Sequence, residues 1–206
     1  MSRRGKPRIW TATVVATLVM LVSACGDGEP TPASYFEALE SQTRSYAEAL
    51  AELRTTFGEE LAAELSVLHD RTDFADTNAV AGYFGQAKEA AIVKTADLFS
   101  REGAELRTFM DGLRELEPPD GLAQAHDDFV AGGDGLLEAM PPTIEAVRNL
   151  EVIEDLPTAL EDTPYTVASQ RFGIACQSLG TTAAEQGIEV ELECPGTAGD
   201  VVEGDG

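Results

Sequence analysis

Apolar positions recur at Phe36, Leu39, Thr43, Tyr46, Leu50, Leu53 and Phe57, with steps that alternate between three and four. Such alternation keeps one side chain per turn on a single helical face and makes the seam along which one helix packs on another. A long helix that must find a helical neighbour is the first thing this chain dictates. Ser34-Tyr35-Phe36-Glu37 opens it as a capping-box pattern, with Ser34 as N-cap and Glu37 three residues on. After Gly58 the seam shifts to Leu61, Leu65 and Leu68, where a bend or a stutter would fit. The helix should end near His69-Asp70, and the polar stretch DRTDFADTN beyond it reads as a loop.

The same period continues downstream. A second helix is expected from about Ala79 to Glu117, with Ile92, Ala96, Phe99, Gly103, Leu106, Met110 and Leu113 inward. Ala96 and Gly103 are small enough to let a neighbouring helix approach. Pro118-Pro119 should stop this helix, the second proline opening the next one at N1. The third helix carries Leu122, His126, Phe129, Gly133, Leu136 and Met140 on one stripe, and Pro141-Pro142 should end it in turn. A shorter fourth helix is expected over Ile144, Val147, Leu150 and Ile153. A fifth would open at Thr163 and Pro164, bury Tyr165, Ala168, Phe172, Ala175, Cys176, Leu179 and Ala183, and close at Gly187. Ile188, Val190 and Leu192 then alternate with Glu189, Glu191 and Glu193, the pattern of a short extended segment with one face down. These readings give an all-α fold: an antiparallel up-and-down bundle of four long helices plus one shorter, occupying residues 34–195, with an acidic, loose tail at 196–206. About 160 residues suffice for one domain with its own core.

The N-terminus carries an address. MSRRGKPR holds four cations and no acid, and the apolar run from Ile9 to Val22 has 14 residues. A spanning helix needs roughly 20, so the run reads as the core of a secretory signal. Arg3-Arg4 is followed by Gly5-Lys6-Pro7 rather than by a hydrophobic pair, which favours the general secretory route over twin-arginine export. Val22-Ser23-Ala24-Cys25 resembles the lipobox of bacterial lipoproteins at all four positions. The resemblance implies cleavage after Ala24, removal of residues 1–24 and a diacylglyceryl group on the Cys25 sulfur. The mature chain would hang from a membrane leaflet at its extracytoplasmic face without a spanning helix, residues 25–33 serving as lipidated cysteine and tether.

Loss of residues 1–24 would remove Arg3, Arg4, Lys6 and Arg8 and no acid, leaving 10 basic against 37 acidic residues. Such a surface repels phosphate backbones and anionic head groups, so nucleic acid is no partner and the acyl group is the anchor. It attracts cations and basic proteins, or simply keeps the chain solvated. Outside the cytoplasm the remaining cysteines, Cys176 and Cys194, are most simply a disulfide pinning the extended segment to the last helix. The alternative, free or metal-binding thiols, lacks a CxxC spacing and a nearby histidine.

Chemistry-bearing motifs are sparse. HExxH, ExxH, GxSxG and the P-loop pattern do not occur, and 70–76 lacks the offsets of an EF-hand. An enzyme is not expected, and no cofactor is implied. His126, on an apolar stripe beside Asp127 and Asp128, is a packed histidine or a cation ligand; His69, near Asp70 and Asp73, is a weaker candidate of the same kind. In outline, "LRELEPPDGLAQAHDDFV" at 113–130 and "ACQSLGTTAAEQGIEVELEC" at 175–194, together with the lipobox, resemble a family of helical surface lipoproteins of Gram-positive, high-GC bacteria. Only the lipobox has a known meaning, so the resemblance implies an address and adds no activity. Two functions follow: a tethered helical module that binds a protein, a wall component or a small apolar ligand, and a divalent-cation-capture protein using clustered carboxylates and His126.

Overall fold

The computed structural model describes residues 30–194. The signal segment 1–24, Cys25 with the tether up to residue 29, and the tail 196–206 lie outside the described residues. Five α-helices account for most of the rest: α1 Pro32–Arg71, α2 Thr77–Arg114, α3 Ala123–Arg148, α4 Leu156–Glu161 and α5 Tyr165–Glu185. A 3-10 turn, Ile153–Asp155, precedes α4. No strand occurs among the described residues. α1 packs on α2, α2 on α3 and α3 on α5, with the short α4 lying between α3 and α5 in sequence and touching both. The fold is the expected all-helical bundle, four long helices and one short.

Its helix ends show how local chemistry sets boundaries. α1 starts earlier than Ser34. Thr31 is the N-cap, its side chain accepts the Ser34 N–H at 3.2 Å, and the Ser34 hydroxyl accepts the Thr31 N–H at 3.1 Å. Pro32 takes the first turn, where its missing N–H costs nothing. The helix then runs without interruption through Gly58. Asp76 caps α2 by accepting the Asn78 N–H at 2.8 Å. α2 ends at Arg114, before the Pro118-Pro119 pair, and Pro119 does not open α3. Instead the Leu122 N–H bonds the Pro119 carbonyl at 3.0 Å across a turn, with Gly121 at φ +88°, a conformation that side chains with a Cβ rarely adopt. α5 starts one residue later than the Thr163-Pro164 reading: Pro164 is the N-cap without a side-chain cap bond, the Thr163 hydroxyl accepts the Tyr165 N–H at 3.4 Å, and the far end closes as a Schellman motif. There the Ile188 N–H bonds the Ala183 carbonyl, the Gly187 N–H bonds that of Ala184, and Gly187 has φ +70°.

Pro141-Pro142 corrects the expectation of a helix end. α3 continues through both prolines to Arg148, so Ile144 and Val147 belong to α3, and the short helix lies further on at Leu156–Glu161. Both prolines face solvent, where carbonyls deprived of their N–H partners can meet water. The opposite face stays packed: Ala139, Met140, Thr143 and Val147 are buried, and the Thr143 hydroxyl donates to the Ala139 carbonyl at 2.7 Å. Burial on the inner face outweighs the local penalty.

The core sits at one end. Phe36 and Leu39 of α1, Leu106, Met110 and Leu113 of α2, Leu122 before α3, Phe129 of α3, and Phe172 and Leu179 of α5 are wholly buried. Each such side chain contributes about 1.5–3 kcal/mol of burial. Phe129 stacks on Phe172 at 4.9 Å, and Tyr46 on Phe109 at 4.9 Å. Small residues admit the neighbours: a Cβ on Gly133 would lie 2.1 Å from the Met110 sulfur, and one on Gly103 3.4 Å from Met140. A second cluster joins Ala96 and Phe99 to Met140 and Val147, with Leu156, Leu160 and Tyr165 against it. Ile188, Val190 and Leu192 pack on the main core while the glutamates between them face water, and the Cys176–Cys194 disulfide fixes that segment to α5.

Burial then stops. Between Ala47 and Glu89 every residue is half-buried or exposed. Along α1 and α2 the pairs Tyr46/Phe109, Arg54/Glu102, Glu60/Lys94 and His69/Tyr83 mark a register that runs from the core to the interhelical loop. The first part belongs to a helical base; the remainder is a two-helix arm.

Candidate functional site

His126 lies in the base, 6 % exposed, with its Nδ1 2.9 Å from the Tyr35 hydroxyl and the two rings edge-on at 5.9 Å. Burial holds its pKa below the usual 6.5, opposed by the neighbouring Asp127 charge. Burial also pushes the Tyr35 hydroxyl up to about 12, so both partners of this bond stay uncharged near neutral pH. Asp127 and Asp128 face solvent, and Asp128 accepts a bond from Gln124 at 2.9 Å. The carboxylates therefore do not converge on the imidazole. Among the described residues no group of three or more His, Cys, Asp or Glu side chains is placed to hold a metal ion.

A second polar cluster sits where α1, α2 and α5 meet. Glu102 of α2 is buried, with Arg54 Nε of α1 3.4 Å from its carboxylate. Desolvation raises its pKa and the Arg54 charge opposes the rise. Burial pushes the Tyr165 hydroxyl up to about 12, and the Glu102 charge adds to that; Tyr46 is raised by the same two causes. A buried carboxylate near one buried phenol, one half-buried phenol and one half-exposed guanidinium is a structural knot where the base gives way to the arm. Sequence periodicity put Glu102 next to the Gly103 stripe without signalling that it would be enclosed.

The arm is where apolar surface meets water. Phe74 is 48 % exposed in the interhelical loop and Phe84 64 % exposed on α2; Val67 and Val93 are also exposed. At the tip the rings form a chain: His69 lies 4.7 Å from Phe74, Phe74 5.6 Å from Tyr83, and Tyr83 5.4 Å from Phe84. His69 is thus part of an aromatic cluster. Reading DRTDFADTN as a polar loop hid this feature; the one signal was a phenylalanine in an otherwise polar connection. Nearer the base the arm is tied by Glu60, which meets Lys94 at 3.0 Å and Arg101 at 3.4 Å; hydrogen bonds from these two cations lower its pKa.

Grooves of about 280 Å³ open between α1 and α2 at two levels. One, in the base, is lined by Ser41, Gln42, Ser45, Glu105 and Thr108 over the Tyr46–Phe109 pair. The other, on the arm, is lined by Glu64, Leu68, Gln86, Glu89, Ala90 and Val93. Both are smaller than an ordinary small-molecule site. No helix of the described residues is long and apolar enough to cross a membrane. No family model, curated protein or solved structure matches the chain, so the site is read from its own geometry.

Proposed function

We propose that this chain is a lipid-anchored, extracytoplasmic helical interaction module without enzymatic activity, which meets a protein partner through its two-helix arm. The observation that carries the reading is the aromatic tip, with Phe74 and Phe84 about half or more exposed at the far end of α1 and α2. Large apolar side chains clustered in water mark contact surfaces more often than they mark free surface. The sequence adds the address, since Val22-Ser23-Ala24-Cys25 resembles a lipobox. Cys25 precedes Pro32 by seven residues, and α1 has 40. At 1.5 Å per residue the tip stands about 60 Å from the end of α1 next to the anchor. Cation capture would need His126 free, whereas the ring is enclosed and bonded to Tyr35.

Fatty-acid labelling in cells tests the anchor: Cys25→Ala should abolish the label, and label that survives contradicts it. A photo-crosslinking residue at position 84 should give a discrete adduct, while the same residue at exposed position 107 on the base gives none. Equal adducts at both positions would remove the arm from the reading.

A further inference from the structure

The groove on the arm has a definite chemistry. Its floor is apolar, made by Leu68 of α1 and by Ala90 and Val93 of α2, and Glu64 and Glu89 stand at its rim with Gln86. Among the described residues neither Glu64 nor Glu89 forms an ion pair, and both face solvent. The cations nearest in sequence are directed elsewhere. Lys94 and Arg101 are held by Glu60, and Lys88, two residues before Ala90, points to the far side of α2 at 100° per residue. Arg71 sits in the last turn of α1, one step beyond Leu68 at the distal end of the row. The groove is therefore apolar along its floor, with the two carboxylates facing each other across its middle. The chain as a whole carries a net charge of −23, which adds long-range attraction for a basic partner.

We infer that this groove docks a basic amphipathic segment of a protein partner, seating one apolar side chain on Leu68, Ala90 and Val93 and placing Lys or Arg against Glu64 and Glu89. The inference rests on the reading of the chain as an interaction module and names the partner's chemistry. Charge decides between occupants. A second copy would bring the same carboxylates against each other, a repulsive pairing, whereas a Lys- or Arg-flanked helix meets both. The seam explains why an apolar anchor fits: among the described residues only two helices make the arm, so Leu61, Leu65 and Leu68 are half-buried, while Leu39, Thr43 and Tyr46 in the base are covered.

The test titrates the full-length chain with two synthetic amphipathic helices of identical Leu stripe, one flanked by Lys and one by Glu, read by fluorescence anisotropy. The Lys-flanked peptide should bind saturably and the Glu-flanked one at least ~10-fold more weakly. The pair Glu64→Gln and Glu89→Gln should weaken binding about 5- to 10-fold, and Val93→Gln should weaken it without any change of charge. A control pair with the same charge change on the base, Glu37→Gln and Glu48→Gln, should leave affinity within about 2-fold. All five positions are exposed, so the fold is not at stake. Equal loss in the control pair means bulk attraction and overturns the inference, as does the lack of saturable binding. Sedimentation showing a dimer that Val93→Gln abolishes would assign the groove to a second copy and overturn it as well. If the groove variants change nothing while crosslinks at position 84 persist, this inference fails and the interaction module stands.

Discussion

Two stretches of the same helix pair carry the same pattern and meet different fates. In the base, Leu39 of α1 and Leu106 of α2 are wholly buried; in the arm, Leu61, Leu65 and Leu68 keep to the seam and are only half-buried. Spacing does not separate them. The difference is what lies on the open side of the α1–α2 pair: α3 and α5 bring Phe129 and Phe172 to the base, and among the described residues the arm has two helices alone. A three-four alternation therefore reports that two helices pair and is silent on whether anything covers the pair. Stability gathers in the base, and apolar surface is left for contact on the arm.

The sharpest way to break this comparison is to cut one large side chain from each region. Phe129→Ala, wholly buried against Phe172, should cost about 3–5 kcal/mol in urea unfolding, whereas Leu65→Ala on the arm should cost about 1 kcal/mol. Equal costs would mean that the arm is as enclosed as the base. Next comes the Cys176–Cys194 disulfide, which closes a separation of 18 residues. Cys194→Ser should cost roughly 3 kcal/mol in the chain-entropy model, and alkylation of the native protein without reductant should leave both cysteines unmodified.

His126→Gln is a smaller probe of the base, about 1 kcal/mol for the lost packing and the bond to Tyr35. It also has a pH signature. The folded pKa is depressed, so above 6.5 the ring is neutral in both states and its contribution is whole. As pH falls from 6.5 toward the folded pKa the unfolded chain protonates first, and stability drops. The Gln variant should lose that slope; an unchanged slope would detach it from His126. Smallest is Glu102, whose raised pKa means that the fold disfavours its carboxylate. Its stabilising contribution is whole below the ordinary carboxyl pKa near 4.5 and is lost as pH rises through the folded value. Glu102→Gln should then be neutral or up to about 1 kcal/mol more stable at pH 7, the advantage closing on acidification. A marked loss at pH 7 would show that the Arg54 pair outweighs desolvation.

Much of the base is legible in the sequence because its signals are local and periodic. The stripes from Ile92 to Leu113 and from Leu122 to Met140 are the buried ones, Gly187 closes α5, and the Ile188–Leu192 alternation packs as its period requires. Misreadings arise where a local rule meets a tertiary one. Pro141-Pro142 removes two backbone donors, yet Thr143 and Val147 are held by the core and carry the helix through. His126 is legible as inward-facing, while its partner Tyr35, 91 residues away, is not. Nothing in the spacing of Leu61, Leu65 and Leu68 says that α3 and α5 stop short of them, and the tip cluster is invisible because Phe74 and Phe84 belong to no seam.

Native-state hydrogen exchange read by mass spectrometry tests the division into base and arm most directly. Amides of 102–113 in α2, 126–140 in α3 and 172–183 in α5 should exchange only through global unfolding, and those of 59–71 and 77–88 through local openings of lower free energy that leave the base protected. Uniform protection from Pro32 to Glu185, lost in a single step with denaturant, would contradict the account.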